Sequence, residues 1–339
     1  MRRALALAAT PGVPLGPNPR VGCVILAPDG STVSEGYHRG AGAPHAEVDA
    51  LSRADGLASG ATAVVTLEPC NHRGRTGPCS EALLAAGVAR VVYAQSDANP
   101  VAVGGAERLR AGGVQVEGGV LVDEARALNR AWTFAVEHGR PFVTWKLAAT
   151  LDGRSAAADG TSRWISSPAA RRDTHRLRSL CDAIVVGTGT VLVDDPRLTV
   201  RDDDDEDLPR ERQPLRAVVG LRDVPQTSRV LDDAADTVLL RTHDPKEVLA
   251  ELHARDVQHV FLEGGPTLAA AFLSARLVDE VVAYVAPLLL GAGRSAVGDL
   301  AVTTIADALR LDLDDVATIG HGRGANVRLT MTPRAKEPS

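Results

Sequence analysis

One histidine and two cysteines are spaced so that they could hold a metal ion. His45 precedes a predicted helix that begins AEVDALS, Cys70 follows the predicted strand TAVVTLEP, and Cys79 begins the next predicted helix. Catalytic zinc sites have three protein ligands and keep a fourth position for water, and one imidazole with two thiolates meets that count. These three residues therefore predict a zinc site at the ends of neighbouring elements.

Glu47 lies two residues after His45 and is not needed as a ligand. Its carboxylate can take a proton from a zinc-activated water molecule and pass it to a departing amine. Zinc deaminases combine H-x-E with P-C-x-x-C, whereas Cys70 and Cys79 here are separated by eight residues. The alternatives are buried thiols with a surface histidine, or a structural zinc site with His72 as fourth ligand, which leaves Glu47 unexplained. The pattern favours deamination of a small pyrimidine-like substrate.

Short aliphatic runs alternate with helical stretches through the first half of the chain. VGCVILAPDG, TAVVTLEPC and VARVVYAQSD predict strands, and the N-terminal stretch, HAEVDALSRADG and SEALLAAG predict helices, the last closed by Gly87. A βα-like segment then precedes DEARALNRAWTFAVEHG, which predicts one helix. Gly139 and Pro141 mark the predicted domain boundary.

The second half repeats the α/β pattern. PFVTWKLAAT, DAIVVG, LRAVVG, TVLLR and HVFLE predict strands, and GTGT and EGG predict turns after two of them. Ser167 and Pro168 predict a helix start, and Asp244 with Glu247 predicts a capping box. Both glycine turns could cradle a pyrophosphate or simply end strands, since neither matches G-x-G-x-x-G. The stretch RDDDDEDLPRERQ predicts a solvated loop.

Composition restricts the function further. The chain has 339 residues, 45% hydrophobic and 24% charged, which is ordinary for a soluble globular protein and long enough for two domains. A net charge of -6 and 3% aromatic residues disfavour a nucleic-acid binder, and no segment is long enough to span a membrane. We therefore expect a cytoplasmic protein with reduced thiols. Cys23 and Cys181 lie in apolar runs and are expected in the core.

A series of motifs runs through nearly the whole chain in a fixed order. The chain resembles the bifunctional deaminase-reductase family of riboflavin biosynthesis. The motifs that carry the resemblance are Asn18 to Val24, Gly36-Tyr37-His38, His45-Ala46-Glu47, Glu68-Pro69-Cys70-x-His72-x-Gly74-Arg75-Thr76, Lys146-Leu147-Ala148, Leu151-Asp152-Gly153, Trp164-Ile165, Asp182-Ala183-Ile184, Gly187 to Thr190, Asp194 to Thr199 and Glu263 to Leu268.

The resemblance implies an α/β fold with two catalytic domains. Residues 1–139 would form a cytidine-deaminase-like three-layer domain and residues 140–332 a dihydrofolate-reductase-like α/β domain. The composition of TPRAKEPS, without the resemblance, predicts a disordered tail over residues 333–339. The first would convert 2,5-diamino-6-(5-phosphoribosylamino)pyrimidin-4-one to the corresponding uracil with zinc. The second would use NADPH to reduce the ribosyl group to ribityl.

The resemblance also implies residue roles, by matching positions. Glu47 would be catalytic, and His45, Cys70 and Cys79 would bind zinc. The substrate of the deaminase would contact Asn18, His38, Arg75, Asp97 and Asn99, with Arg75 facing its phosphate. NADPH would contact Ala148, Trp164, Thr190, Asp194, Gly265, Pro266, Thr267, Leu268, Ala269, Ala270 and Ala271. The substrate of the reductase would contact Ser162, Arg178, Leu198, Arg201 and Glu263, with both arginines facing its phosphate.

Ordinary structural roles compete with several of these assignments. Asn18 between two prolines and Asp194 before Asp195-Pro196 could be turn residues. Trp164 could be a core aromatic residue, and Arg178 a solvated helix residue.

The chain departs from the family pattern at two places. Gly220 and Leu221 stand where the family has Asp and Ser, so a polar cofactor contact is missing there. Gly77 replaces a proline before Cys79, which should loosen that loop. No clamp for a 2′-phosphate can be identified from spacing, so the choice of NADPH depends on the resemblance.

Other functions stay open at this point. The second domain could have lost productive NADPH binding, leaving a deaminase alone. The chain could instead be a nucleic-acid-editing deaminase fused to a binding module, or a zinc-stabilised interaction protein without catalysis. Two activities on one intermediate also suggest a homo-oligomer.

Overall fold

The computed structural model describes residues 1–13, 16–72 and 77–334, with the backbone only at position 323. The chain forms two compact units, Met1–Gly139 and Arg140–Ser339. In the part of the chain that is described, no helix has the length and apolar character needed to cross a bilayer.

The first unit is built on a mixed sheet with helices packed against it. Strand β1 is antiparallel to β2 and β3, and β3, β4 and β5 run parallel in the order β2-β1-β3-β4-β5. Its strands are β1 (Gly22–Leu26), β2 (Thr32–Tyr37), β3 (Thr62–Leu67), β4 (Arg90–Gln95) and β5 (Gln115–Glu117). Its helices are α1 (Arg2–Ala8), α2 (Ala46–Ser52), α3 (Cys79–Ala85), α4 (Gly105–Ala111), α5 (Val122–Leu128) and α6 (Arg130–His138).

These elements confirm the predicted strand, helix and strand pattern and add one strand, β2. Helix α2 packs closely on β2 because Gly36 has no side chain: a Cβ there would lie 2.4 Å from the Ala50 nitrogen. The single helix predicted over residues 123–139 is wrong, since the structure has α5 and α6. The break is at Asn129, whose side chain bonds both the N–H and the carbonyl of Arg20 at 2.8 and 2.9 Å.

The second unit contains a larger sheet, in the order β10-β9-β8-β11-β6-β12-β15-β14. The first six strands of that order are parallel, and β15 and β14 continue the sheet antiparallel. Its strands are β6 (Phe142–Thr150), β8 (Ala183–Gly187), β9 (Leu215–Val219), β10 (Thr237–Leu240), β11 (His259–Leu262), β12 (Glu280–Ala286), β14 (Leu311–Ile319) and β15 (Asn326–Pro333), while β7 (Arg154–Ala156) and β13 (Arg294–Ser295) pair separately.

Four helices of the second unit accompany these strands: α7 (Pro168–Arg178), α8 (Thr188–Asp194), α9 (Pro245–His253) and α10 (Pro266–Ser274). Ser167 caps α7 as predicted, accepting a bond from the Ala170 nitrogen at 3.2 Å. The capping box predicted for α9 is confirmed only for Asp244. Asp244 accepts from the Lys246 nitrogen at 2.9 Å, but Glu247 bonds the hydroxyl of Thr242 instead of the amide of Asp244.

The predicted turn after β8 is also wrong, because Thr188 begins α8 there. The acidic stretch that follows Val200 is largely exposed, as predicted, with a short 3-10 turn at Arg210–Arg212. Cys23 and Cys181 lie in the cores of the two units, which confirms their expected packing role.

Two buried polar networks stabilise the second unit. Arg216 is 0% exposed, and its guanidinium bonds the Asp232 carboxylate at 2.8 Å and the carbonyl of Ala235 at 2.5 Å. Asp173 on α7 accepts bonds from the Tyr284 hydroxyl at 2.6 Å and from Arg328 at 2.9 Å. Each network satisfies charges that would be costly to bury alone.

Candidate active sites

The predicted zinc ligands converge at the ends of three elements. His45 is the N-cap of α2, Cys70 follows β3, and Cys79 is the first residue of α3. Their ligand atoms all lie within 4.8 Å of one another. His45 Nδ1 is 3.2 Å from Cys79 Sγ and 3.5 Å from Cys70 Sγ. This arrangement fits a metal that is bound by one imidazole and two thiolates.

The protonation states of Cys70 and Cys79 favour the binding of a cation. The thiol of Cys79 and the imidazole of His45 both bond Cys70, and they lower the pKa of the Cys70 thiol to about 4 against the effect of burial. The same hydrogen bond and burial raise the pKa of Cys79. Without a cation, the pair therefore holds one negative charge and one shared proton, and a divalent metal would neutralise both thiolates.

Glu47 lies in the first turn of α2, where the helix carries it to the ligand cluster. Its side chain is buried, with 4% of the residue exposed. Burial raises the pKa of Glu47 to about 7, partly offset by a backbone hydrogen bond and the nearby His45. A carboxyl group with a pKa near neutrality can both accept and donate a proton.

One cavity joins Glu47 to most of the predicted substrate residues. Asn18, His38, Asp97 and Asn99 line it together with His45 and Cys70. The His38 ring lies between two partners, with Nδ1 3.0 Å from the Pro44 carbonyl and Nε2 2.8 Å from Asn18 Nδ2. Since a carbonyl can only accept, His38 carries its proton on Nδ1 and accepts from the amide of Asn18.

These contacts give Asn18 and His38 more than turn-forming roles. Burial lowers the pKa of His38, which keeps the ring neutral at neutral pH. Burial raises the pKa of Asp97 to about 6, and its carboxylate accepts the N–H of Asn99 at 2.8 Å. Arg75 lies outside the described residues. Gly77 is described, and among the described residues other than its chain neighbours no atom lies within 4 Å of the position that its Cβ would take.

Other residues also line the same cavity, although sequence reasoning did not assign them to the substrate. Among them are Glu68, His72 and Trp132. Glu68 and His72 belong to the motif that surrounds Cys70, so the motif itself carried the signal. Trp132 comes from α6, far away in sequence, and no local pattern indicates its place in the cavity.

The second candidate site lies at one edge of the parallel sheet. The strands β9, β8 and β11 are neighbours, so their carboxyl ends meet at the same edge. Gly187 ends β8, and Gly265 is the N-cap of α10 after β11. A Cβ at Gly265 would lie 4.0 Å from the hydroxyl of Thr190, and one at Gly187 would lie 3.9 Å from Leu268. Gly187 and Gly265, which precede α8 and α10, therefore face each other, as the two sides of a pyrophosphate cradle would.

Several other cofactor residues predicted from the resemblance lie on these elements. Ala148 is on β6 and packs beside Tyr284. Asp194 is the last residue of α8 rather than a turn residue, and Ala269 lies in the core, whereas Pro266, Thr267 and Leu268 keep accessible surface. Trp164 is 66% exposed with the Arg171 guanidinium 4.2 Å above its ring, so the core alternative for Trp164 is wrong.

A cluster of charged side chains lies beside this edge. Arg178 bonds both carboxylate oxygens of Glu263, at 2.5 and 3.0 Å, and Lys146 Nζ is 4.0 Å away from Glu263. Only 14% of the Arg178 side chain is exposed, so the solvated alternative is wrong. Burial raises the pKa of Glu263, but the charges of Arg178 and Lys146 outweigh it and hold that pKa below its ordinary value. Sequence reasoning assigned no role to Lys146, although it lies in a motif of the resemblance.

The other substrate residues predicted for the second unit are Leu198, Arg201 and Ser162. Leu198 is 4% exposed and packs in the core. Arg201 pairs with Asp205 at 3.1 Å and with Asp207 at 3.3 Å, so carboxylates already occupy its guanidinium. Ser162 is half-buried in the loop that leads to α7.

The presence of glycine instead of the family's aspartate at position 220 has a steric reason. Gly220 has a φ of +137°, which strongly favours glycine, and a Cβ there would lie 2.6 Å from the hydroxyl of Thr188. An aspartate could not occupy this backbone. Two residues later, Arg222 brings Nη2 to 2.8 Å from the position that a Cβ on Gly189 would take. Sequence reasoning did not identify this guanidinium.

Two known protein families match the chain, one in each unit. Residues 1–95 match the cytidine and deoxycytidylate deaminase zinc-binding region, and residues 141–323 match the RibD C-terminal domain.

Full-length relatives extend the match over both units. The chain is 54% identical over 305 residues to the riboflavin biosynthesis protein RibD of Mycobacterium tuberculosis, covering 90% of this chain and 89% of that protein. It is 42% identical over 352 residues to the RibD of Escherichia coli, covering 94% and 96%.

Solved structures agree with this match. Acinetobacter baumannii RibD superposes with a TM-score of 0.90 at 38% identity, covering 98% of both chains. A Thermotoga maritima diaminohydroxyphosphoribosylaminopyrimidine deaminase/5-amino-6-(5-phosphoribosylamino)uracil reductase superposes with a TM-score of 0.88 at 30% identity, covering 98% of this chain and 97% of that one.

Proposed function

Because the chain belongs to the RibD family of riboflavin biosynthesis proteins, we propose that it carries out two consecutive reactions. The first unit deaminates 2,5-diamino-6-(5-phosphoribosylamino)pyrimidin-4-one to the corresponding uracil. The second unit reduces the ribosyl group of that product to ribityl with NADPH. The observation that carries the proposal is the buried Glu47 beside the convergent atoms of His45, Cys70 and Cys79, in one cavity.

In the first reaction, water replaces an amino group on the pyrimidine ring and ammonia leaves. His45, Cys70 and Cys79 would hold a zinc ion, which would supply the Lewis acidity that lets water lose a proton near neutral pH. Glu47 accepts that proton and returns it to the departing amine, which its pKa near neutrality suits. Because Glu47 itself is 4% exposed, little bulk water competes for these protons.

The pyrimidine ring is positioned by the polar residues around the same cavity. Asn18 and His38 hold each other in place, which keeps both side chains oriented before the substrate enters. Asp97 and Asn99 approach from the loop after β4. We assign these four residues to the ring and the ribose, and Arg75 to the phosphate by family position.

In the second reaction, a hydride and a proton are added to the sugar. Bound NADPH would supply the hydride, and the protein supplies position and charge. Gly187 at the end of β8 and Gly265 before α10 have no side chains and would hold its pyrophosphate. Arg178 and Lys146 surround the Glu263 carboxylate, which makes this cluster our candidate for orienting the sugar.

The test follows ammonia and NADPH with purified protein and the diaminopyrimidine ribotide. Without NADPH we expect ammonia release and accumulation of the deaminated product. With NADPH we expect one equivalent of cofactor to be oxidised per ammonia. Ammonia release without NADPH oxidation would limit the function to deamination, and no ammonia release would overturn the proposal.

Self-association and a cytoplasmic location stay predictions. Light scattering of the purified chain tests the first, and fractionation of cells that express it tests the second.

A further inference from the structure

Arg222 lies where the cofactor site of the second unit meets the neighbouring strand. It follows the carboxyl end of β9, and its guanidinium rests against Gly189, between β8 and Thr190. Its side chain is exposed and makes no hydrogen bond or ion pair with any residue that the structure describes. An arginine held over the first residues of α8 with no partner among the described residues is available to a ligand anion.

The acidic residue next to Arg222 in the sequence does not pair with it. Asp223 pairs instead with Arg241 at 2.9 Å. Arg241 also donates to the Leu221 carbonyl at 3.2 Å. Among the described residues, no carboxylate forms an ion pair with Arg222, so its positive charge is available to a ligand.

The missing side chain at Gly220 contributes to the same arrangement. Gly220 packs on Thr188, so the loop after β9 passes close to the first turn of α8. This close approach brings Arg222 to the start of α8, which we assign to the pyrophosphate. In α/β sheets a dinucleotide lies across the carboxyl ends of adjacent strands, and an arginine near the ribose accommodates a 2′-phosphate.

We propose that Arg222 binds the 2′-phosphate of NADPH and gives the reductase its preference for NADPH over NADH. The inference depends on the proposed reductase function, because it uses the cofactor site of that function. It replaces the polar contact that the chain lacks at Gly220 and Leu221 with a charged contact from the next residue.

The experiment measures dissociation constants of NADPH and NADH by calorimetry, using the full chain without the pyrimidine substrate. Arg222→Gln should weaken NADPH binding about 10- to 100-fold, the range for a lost charge-assisted hydrogen bond to phosphate, and leave NADH binding unchanged. Arg222→Lys should recover part of the NADPH affinity. Arg241→Gln is the matched control and should keep the wild-type ratio of the two constants.

Three results would overturn the inference alone. They are equal affinities of the wild-type protein for NADPH and NADH, an unchanged preference in Arg222→Gln, and an equal loss of preference in Arg241→Gln. If the wild-type protein binds neither dinucleotide, both this inference and the proposed reductase function fail.

Discussion

Replacing Glu47 by glutamine should separate proton transfer from zinc binding. The amide keeps the size of the side chain but cannot accept a proton, so ammonia release should fall about 10²- to 10⁴-fold. His45, Cys70 and Cys79 are untouched, so the zinc content should stay that of the wild-type protein. Oxidation of NADPH with the deaminated substrate should also continue at the wild-type rate, because it occurs in the other unit.

The same change should stabilise the protein when zinc is removed. Burial raises the pKa of Glu47 from 4.5 to about 7, and the raised value means that the folded protein holds this proton more tightly than the unfolded chain does. The carboxylate therefore costs stability as pH rises above 4.5, up to about 3 kcal/mol once pH passes 7. Glu47→Gln should recover about 1–3 kcal/mol of the free energy of unfolding at pH 8 and nothing below pH 4.

The assay combines three measurements on each variant: ammonia release, zinc by elemental analysis and urea unfolding of the metal-free protein. Glu107→Gln is the matched control, since Glu107 is exposed on α4. It should leave all three measurements unchanged. Ammonia release at the wild-type rate in Glu47→Gln would refute the role of Glu47, and so would loss of zinc together with activity.

Three other predictions concern the metal and the stability of the fold. Cys70→Ser should reduce bound zinc to a trace by elemental analysis, whereas Cys181→Ala, in the core of the other unit, should keep it; equal zinc in both would refute the ligand assignment. Arg216→Met should lower the free energy of unfolding by about 1–3 kcal/mol, because it leaves the buried carbonyl of Ala235 without its guanidinium donor, whereas the exposed Arg241→Met should change it by about 1 kcal/mol or less in urea titrations. Burial raises the pKa of Asp173, but its bonds to tyrosine and arginine outweigh burial and leave the pKa below its ordinary value of 3.8. The ionised carboxylate therefore stabilises the folded protein above pH 3.8, and this stabilisation is lost as pH falls through the pKa of the folded state. Asp173→Asn should therefore flatten the fall of the melting temperature in acid, and an unchanged slope would contradict this.

Buried strands and capped helices were predictable because their sequences satisfy local rules. Apolar runs such as those of β1, β3 and β8 fill the two cores, and Ser167 caps α7 as its sequence indicates. Two other strands were not predicted. In β2 the burial of the residues alternates, and β14 has three aspartates and is largely exposed. Aspartate disfavours strands, so pairing with β15 rather than local propensity makes β14 a strand.

Of the two sites, the metal ligands were the more predictable. His45, Glu47, Cys70 and Cys79 lie in short motifs whose chemistry can be read locally. The bond of Asn18 to His38 and the place of Trp132 depend on the fold, because these contacts join residues far apart in sequence. Arg222 was missed for the same reason: only the parallel pairing of β8 and β9 brings it to Gly189.

The central claim is that one chain carries two chemically independent sites, and zinc removal tests it most directly. Ammonia release from the diaminopyrimidine ribotide and NADPH oxidation with the deaminated substrate would be measured before and after chelation, and again after zinc is restored. We expect chelation to abolish ammonia release reversibly and to leave NADPH oxidation intact. Ammonia release that survives chelation, or NADPH oxidation that is lost with it, would contradict the account.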